Sequence, residues 1–326
     1  MRQRGDLYAD AASRIGRIPR EARGTRLWSR VVSYVPRKTP IMNGDRRGKV
    51  RIAAALAFFG VFVIAACSTT MTGRKQLTLV NDAQMDELGV AAFTDLKTEG
   101  KVAKDAVTNE YVRCVADPIL AIIPKGGAAP ADGKWELVVF EDATPNAFAL
   151  PGGKIGVHTG MLTVATTAGQ LAAVLGHEVG HVLLRHGNER LSQSVVAQSA
   201  MEASSAGLNQ MKPEYRNAVV GGLGVGVQYG VLLPFSRKHE NEADTVGQRF
   251  MAEAGFNPAE AVRLWQKMEQ LSKGQEPPQW MSTHPANSTR IDNLNANLPT
   301  AKDLYRGARA AGKKPQCVPP PKPSQR

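Results

Sequence analysis

The 326 residues hold 41 Lys and Arg against 29 Asp and Glu, a formal charge of +12, with 43% hydrophobic and 21% charged side chains. That composition supports one large core or two modest ones and excludes a disordered chain and a small disulfide scaffold. The charge is uneven: residues 1–66 carry 14 of the basic and 4 of the acidic residues, leaving 27 against 25 for residues 67–326. With the folded part nearly neutral, no basic stripe interleaved with aromatics, no GxxxxGK(S/T) phosphate loop and no CxxC pair, nucleic acid is not an expected partner.

The N-terminal region reads as targeting rather than fold. Lys49-Val-Arg51 precedes fifteen uncharged, mostly apolar residues, Ile52 to Ala66, and then Cys67. A charged start, a short apolar stretch and small residues before a break are the parts of a secretory signal, here residues 42–66, too short to span a bilayer comfortably. Ile64-Ala65-Ala66-Cys67 resembles the bacterial lipoprotein lipobox, in which the Cys is lipidated and becomes the new N-terminus. The resemblance implies a membrane anchor at Cys67 with residues 67–80 as tether, and Ser68 implies the periplasmic face of the outer membrane. The alternatives are an N-terminal anchor with an ordinary Cys, an inner-membrane site, or a mitochondrial presequence, against which Asp6, Asp10 and Glu21 count. Residues 1–41 read as a misassigned start or a solvated extension.

Beyond the tether the amphipathic pattern predicts helices over Asp82–Leu96 and Ala106–Ile123, the second interrupted at Pro118. Trp135–Phe140 is a β-branched and aromatic run and reads as a strand. Ala147–Leu150 and Lys154–His158 flank Pro151-Gly152-Gly153 and read as a hairpin, followed by a helix over Ala168–Arg185 with Thr167 as N-cap. The Gly-rich apolar stretch within residues 213–234 reads as a buried or interfacial helix. Arg237–Ala254 and Pro258–Leu271 read as two more helices, the latter capped by Asn257. From Ala301 on the composition is that of a Pro- and Lys-rich tail.

The chemistry concentrates in Leu171–Leu184, LAAVLGHEVGHVLL, apolar all round the helix axis except at His177, Glu178 and His181. Burying three such groups in one turn is costly without compensation, and a bound cation supplies it. His177 and His181 are four residues apart, about 40° on the wheel, so both imidazoles reach one metal. Glu178 stands on the adjacent edge, placed to hold a water. This is the H-E-x-x-H arrangement, in which zinc acidifies water and the Glu takes its proton. His186, nine residues from His177, projects to the opposite side and reads as structural. A catalytic zinc needs a third protein ligand, and Glu240 is the candidate, with Asp244 one turn on as an acceptor that orients a ligand imidazole. Glu242 falls about 200° from Glu240 on the wheel, and His239 reads as polar surface.

The order Asn146–Gly153, His177–His181, Glu240-Asn-Glu-Ala-Asp244 and Thr283-His-Pro285 followed by Arg290-Ile291 resembles the gluzincin peptidases related to HtpX and to the CAAX prenyl protease, especially their soluble periplasmic lipoprotein members. The resemblance covers roughly residues 80–300 and implies one zinc held by His177, His181 and Glu240, Glu178 as general base, and Asp244 behind the ligands. It makes Lys154, Ile155, Gly156 and Val157 an edge strand for extended substrates. It makes His284 either an oxyanion stabiliser or a fourth zinc ligand in a latent state, where the residue alone also reads as an N-cap or turn histidine next to Pro285. Arg290 is expected to hold either the loop or the substrate backbone. HtpX carries transmembrane helices that this chain lacks beyond the signal, so substrates of membrane-embedded relatives are not transferred.

Cys114 and Cys317 read equally as a disulfide, which an oxidising compartment permits, or as two thiols with Cys114 on an apolar helix face. Taken together, the expected fold is α+β, a mostly helical zincin-type metallopeptidase domain over residues 81–300 with a small antiparallel sheet whose edge strand precedes the active-site helix. The tail follows over 301–326. The expected function is zinc-dependent endopeptidase action on misfolded or unassembled envelope proteins, with the outer-membrane assembly machinery as a further partner. The alternative is a chaperone-like zinc lipoprotein that holds such proteins without cutting them.

Overall fold

The computed structural model describes residues 67–208, 236–272, 279–284 and 288–321. The expected extension, the signal, the Gly-rich stretch within 213–234, Pro285 and the last five residues lie outside them.

The residues expected to act as a tether instead fold. Strands β1 (Cys67–Thr69) and β2 (Lys75–Leu77) pair antiparallel, Cys67 opposite Leu77. The hairpin and the residues after it are held by long-range polar contacts: Leu79 N–H donates to Ser192 Oγ at 2.8 Å and Asn188 Nδ2 to Val80 O at 2.6 Å. Helix α1 (Asp82–Glu99) follows, its first turn capped by Asn81 accepting from Gln84 N–H. Helix α2 (Ala106–Leu120), capped by Asp105, passes through Pro118 and ends two residues later, because the missing N–H and the ring fall in the last turn.

Strands β3 (Glu136–Phe140), β4 (Ala147–Leu150) and β5 (Lys154–His158) form a three-stranded sheet in the order β3-β5-β4. The hairpin is as expected, with Gly152 and Gly153 both at positive φ (76° and 69°) in its turn. The sheet is mixed, however: β5 runs parallel to β3, Leu137 opposite Ile155 and Val139 opposite Val157, and antiparallel to β4. This corrects the expectation for Lys154, Ile155, Gly156 and Val157. They form the central strand, with main-chain partners on both sides, and cannot receive a further strand. Buried Leu137, Val139, Ile155 and Val157 place both parallel strands against the same core, which is what draws β3 to the other flank of β5. The edges of the described sheet are β3 and β4.

After a short helix α3 (Met161–Val164), α4 (Ala168–Leu183) starts at its N-cap Thr167, and every residue from Gln170 to Leu183 is buried, as its all-round apolar pattern requires. Arg185, at φ 56°, breaks the helix, and α5 (His186–Leu208) departs in a new direction. Helix α6 (Arg237–Glu253) crosses α4 at backbone contact. A Cβ added to Gly176 would stand 2.7 Å from Gly247 O, and one added to Gly247 would stand 2.6 Å from His177 N. Only glycine permits that approach, and it sets the start of α6 beside His177 and His181. Helices α7 (Ala259–Ser272), α8 (Gln279–Thr283) and α9 (Ser288–Ala310) complete the helical layer. α9 runs through Pro299 and past Ala301, so the tail starts some ten residues later than composition suggests; buried Ala301 and Ala308 hold the helix to the body. The tail is fixed by a disulfide from Cys317 to Cys114 on α2. The described chain is thus α+β and mostly helical, and none of its helices is long and apolar enough to cross a membrane.

Candidate metal centre

Three helices deliver the polar groups to one point. His177 and His181 project from α4, Glu240 from the first turn of α6, where Ser236 caps by accepting from His239 N–H, and His284 follows the last residue of α8. One ligand atom from each of these four residues lies within 4.8 Å of the other three, and all four side chains are buried. His181 Nε2 is 3.0 Å from His177 Nε2, and His177 Nε2 is 3.2 Å from His284 Nδ1. Glu240 Oε1 lies 3.1 Å from His284 Nδ1 and 3.4 Å from His181 Nε2, and its Oε2 lies 3.5 Å from His177 Nε2. Imidazole nitrogens facing one another this closely, beside a buried carboxylate, are satisfied together by one cation. Three nitrogens and one oxygen in a closed cluster suit zinc. The residues therefore fit one Zn2+ per chain, which His177, His181, Glu240 and His284 could hold.

The cluster is braced from behind. Asp244, one turn along α6 from Glu240, places Oδ1 2.9 Å from His177 Nδ1, so Nδ1 donates to the carboxylate and Nε2 faces the cluster. Arg290 is fully buried and holds both carboxylates: Nε and Nη2 donate to Asp244 at 2.6 Å each, and Nη1 pairs with Glu240 Oε2 at 2.6 Å. Its guanidinium lies 3.5 Å over the Trp265 ring. Of the two roles expected for Arg290, its contacts are those of a loop holder, with Nη1 donating to His284 O at 3.4 Å, and it has no surface for a substrate.

His186 and His239 depart from their expected places. The wheel projection from His177 fails for His186 because Arg185 breaks the helix, and its ring turns back so that Nδ1 meets His181 Nδ1 at 3.0 Å. Burial is the main influence on its ring and pushes it down to about 4, so it is neutral at pH 7. His239 is buried, not surface, stacks on His186 at 4.3 Å, and places Nε2 2.9 Å from Glu189 Oε2.

Glu178 points beside the cluster, not into it. Its Oε1 accepts a 2.7 Å hydrogen bond from Trp280 Nε1 and lies 3.5 Å from His284 Nε2. Trp280 was not anticipated from sequence; its only signal is the spacing of four from His284, which puts both on one helical face. A cavity of about 140 Å³ lies between α1, the end of β4 and α4, lined by residues that include Met85, Ala149, Leu150, His181 and Val182.

The profile of peptidase family M48 matches residues 107–298, which contain the four residues of the cluster together with Glu178, Asp244, Trp280 and Arg290. Similar proteins include the mitochondrial metalloendopeptidase OMA1 of Schizosaccharomyces pombe, 37% identical over 199 residues, 60% of this chain and 54% of that one. The OMA1 of Homo sapiens is 28% identical over 297 residues, 86% of this chain and 55% of that one. The beta-barrel assembly-enhancing protease of Yersinia pestis is 24% identical over 224 residues, 66% of this chain and 44% of that one. The chain spans about half the length of these curated relatives. The profile match covers more than half of the chain and takes in a buried cluster whose donors suit zinc, and the chain belongs to peptidase family M48.

Proposed function

We propose that the protein is a zinc-dependent endopeptidase whose substrates are misfolded or unassembled envelope proteins. The observation that carries the proposal is Glu178 standing beside the cluster, not within it, fixed by Trp280 and able to act as a base. Zinc, when bound, polarises a scissile carbonyl and acidifies water. Glu178 holds that water with its carboxylate, takes the proton and returns it to the leaving amine. An extended substrate adds to β4, an edge of the described sheet, with a side chain in the cavity beside His181.

The position of His284, within hydrogen-bonding distance of Glu240 and His177, supports its being a fourth ligand in a resting state over its being a free oxyanion donor. Four protein ligands are also what a purely structural zinc site uses, and this favours, as a second reading, a protein that holds unfolded clients without cutting them. Zinc content and cleavage of an unfolded protein, measured on the full chain and on Glu178→Gln, separate the two. Zinc in both with cleavage only in the parent supports the peptidase; cleavage in both refutes the base; zinc with cleavage in neither supports the holding role. A His284→Ala variant that cleaves faster supports the resting-state ligand, and one that cleaves more slowly supports the oxyanion role.

The lipobox supports anchoring at Cys67 on the periplasmic face of the outer membrane, and the name of the Yersinia relative supports a partnership with barrel assembly. The OMA1 relatives support a mitochondrial envelope site instead. Incorporation of labelled fatty acid that disappears in Cys67→Ser decides between them.

A further inference from the structure

His177 and His181 occupy similar places in the cluster but are backed differently. His177 Nδ1 meets a carboxylate directly, at Asp244, whereas His181 Nδ1 meets another imidazole, His186 Nδ1, at 3.0 Å. The chemistry of the pair leaves one proton arrangement. If His181 offers Nε2 to a metal, its proton is on Nδ1 and is donated to His186 Nδ1. His186 then carries its own proton on Nε2, which faces Glu242 Oε2 at 3.2 Å. A carboxylate at the far end therefore selects both tautomers, as Asp244 does for His177, but one imidazole further away.

Glu242 is fixed in turn by the N-terminal hairpin. Arg74 Nε donates to Glu242 Oε2 at 2.7 Å, and Thr70 and Thr72 both donate to Glu242 Oε1. The other end of the Arg74 guanidinium forks onto Glu189, with Nη1 and Nη2 at 2.9 and 2.7 Å from the two carboxylate oxygens. Glu189 accepts from His239, whose ring is stacked on His186. The His186 ring is thus held at both nitrogens and on one face.

We propose that His186 and Glu242, locked by Arg74 from the hairpin that begins at Cys67, are positioning residues that set the tautomer and orientation of His181 for metal binding. The inference rests on the reading of His177, His181 and Glu240 as zinc ligands. It gives the segment expected to be a passive tether a part in assembling the metal centre.

The test compares the full chain with His186→Phe, His186→Gln and Arg74→Met. Zinc affinity is measured by competition with a chelator, the visible spectrum of the cobalt-loaded protein reports ligand geometry, and thermal unfolding of the metal-free protein reports the fold. His186→Phe keeps the volume and the stacking but loses both nitrogens, and is expected to weaken zinc binding about 10- to 100-fold and to shift the cobalt bands. Gln accepts through Oε1 and donates through Nε2, so His186→Gln is expected to stay within roughly threefold of the parent. Arg74→Met is expected to weaken zinc binding several-fold and serves as the deciding variant if His186→Phe does not fold. Zinc affinity and cobalt bands unchanged in folded His186→Phe, or in Arg74→Met where that variant decides, would overturn the positioning role while leaving the ligand set intact. A parent chain that binds no zinc would overturn the ligand reading itself, and the positioning role with it.

Discussion

Trp280 donates its indole N–H to Glu178 across 2.7 Å, in a buried setting where its ring also stacks on Trp265 at 5.2 Å. The bond joins α8, four residues before His284, to the middle of α4. It fixes which way the Glu178 carboxylate faces, so the segment that brings His284 to the cluster also aims the candidate base.

Replacing Trp280 with Phe keeps the ring stack and removes the donor. A hydrogen bond to a charged group is worth about 1.5–3 kcal/mol, so kcat is expected to fall roughly 10- to 100-fold. Zinc stoichiometry should stay at one per chain, since the bond that is lost goes to Glu178, and Phe keeps a ring to pack on those of His177 and His284; loss of zinc would mean that α8 had moved.

Arg290 neutralises two buried carboxylates at once, Asp244 and Glu240. Arg290→Met leaves them without that charge and is expected to destabilise the metal-free protein by about 3–5 kcal/mol, read from urea unfolding. Arg290→Lys should recover only part of the loss, because an ammonium cannot fork onto Asp244 while reaching Glu240. Added zinc should offset some of the deficit in both by supplying positive charge to Glu240.

Stability should depend on Glu189 in acid. Burial opposes its carboxylate form, but hydrogen bonds from His239 and Arg74 outweigh it and hold the group at about 2 against an ordinary 4.5. A depressed value stabilises the fold above the unfolded-state pKa and is lost as protons bind the native carboxylate, so this contribution is complete above about pH 5 and disappears between there and about pH 2. In Glu189→Gln the unfolding free energy at pH 7 should drop, and the acid-induced loss over that window should shrink. An acid limb identical to that of the parent would show that other carboxylates govern it.

The bridge from Cys114 to Cys317 closes a loop of 203 residues and ties the tail to α2. Chain-entropy reasoning assigns such a loop about 5 kcal/mol, and losing a native disulfide typically costs about 2–5 kcal/mol. Cys317→Ser should therefore lower the unfolding midpoint and expose the chain after Gly312 to proteolysis, with zinc affinity unchanged because neither cysteine touches the cluster. Equal melting of oxidised and reduced parent protein would contradict it.

Much of the centre was legible in the linear chain because a helix repeats its geometry locally. His177, Glu178 and His181 could be placed on one buried helix from their spacing and from the apolar residues around them, and Asp244 follows Glu240 by the same turn. Helical periodicity places residues only within one unbroken element. His186 was projected away from His181 on a wheel that Arg185 interrupts. His239 reads as polar surface and Glu242 only as pointing away from Glu240, because their partners, Glu189 and Arg74, lie 50 and 168 residues away. β5 reads as an edge in the sequence because its parallel partner β3 is not adjacent in the chain, and hydrophobic alternation reports which face is buried but not which flank is occupied.

The sequence by itself determined the α+β composition, the helix that carries His177 and His181, the hairpin turned by Gly152 and Gly153, and the donor types that suit zinc, since each depends on residues within a few positions of one another. Only the tertiary structure decided that Gly176 and Gly247 let α4 and α6 touch, that Arg290 lies behind the carboxylates, that Trp280 aims Glu178, and that Arg74 reaches the cluster through Glu242 and His186. These relations join residues up to 168 positions apart, and distances between such residues are set by how whole elements pack, which no local periodicity encodes.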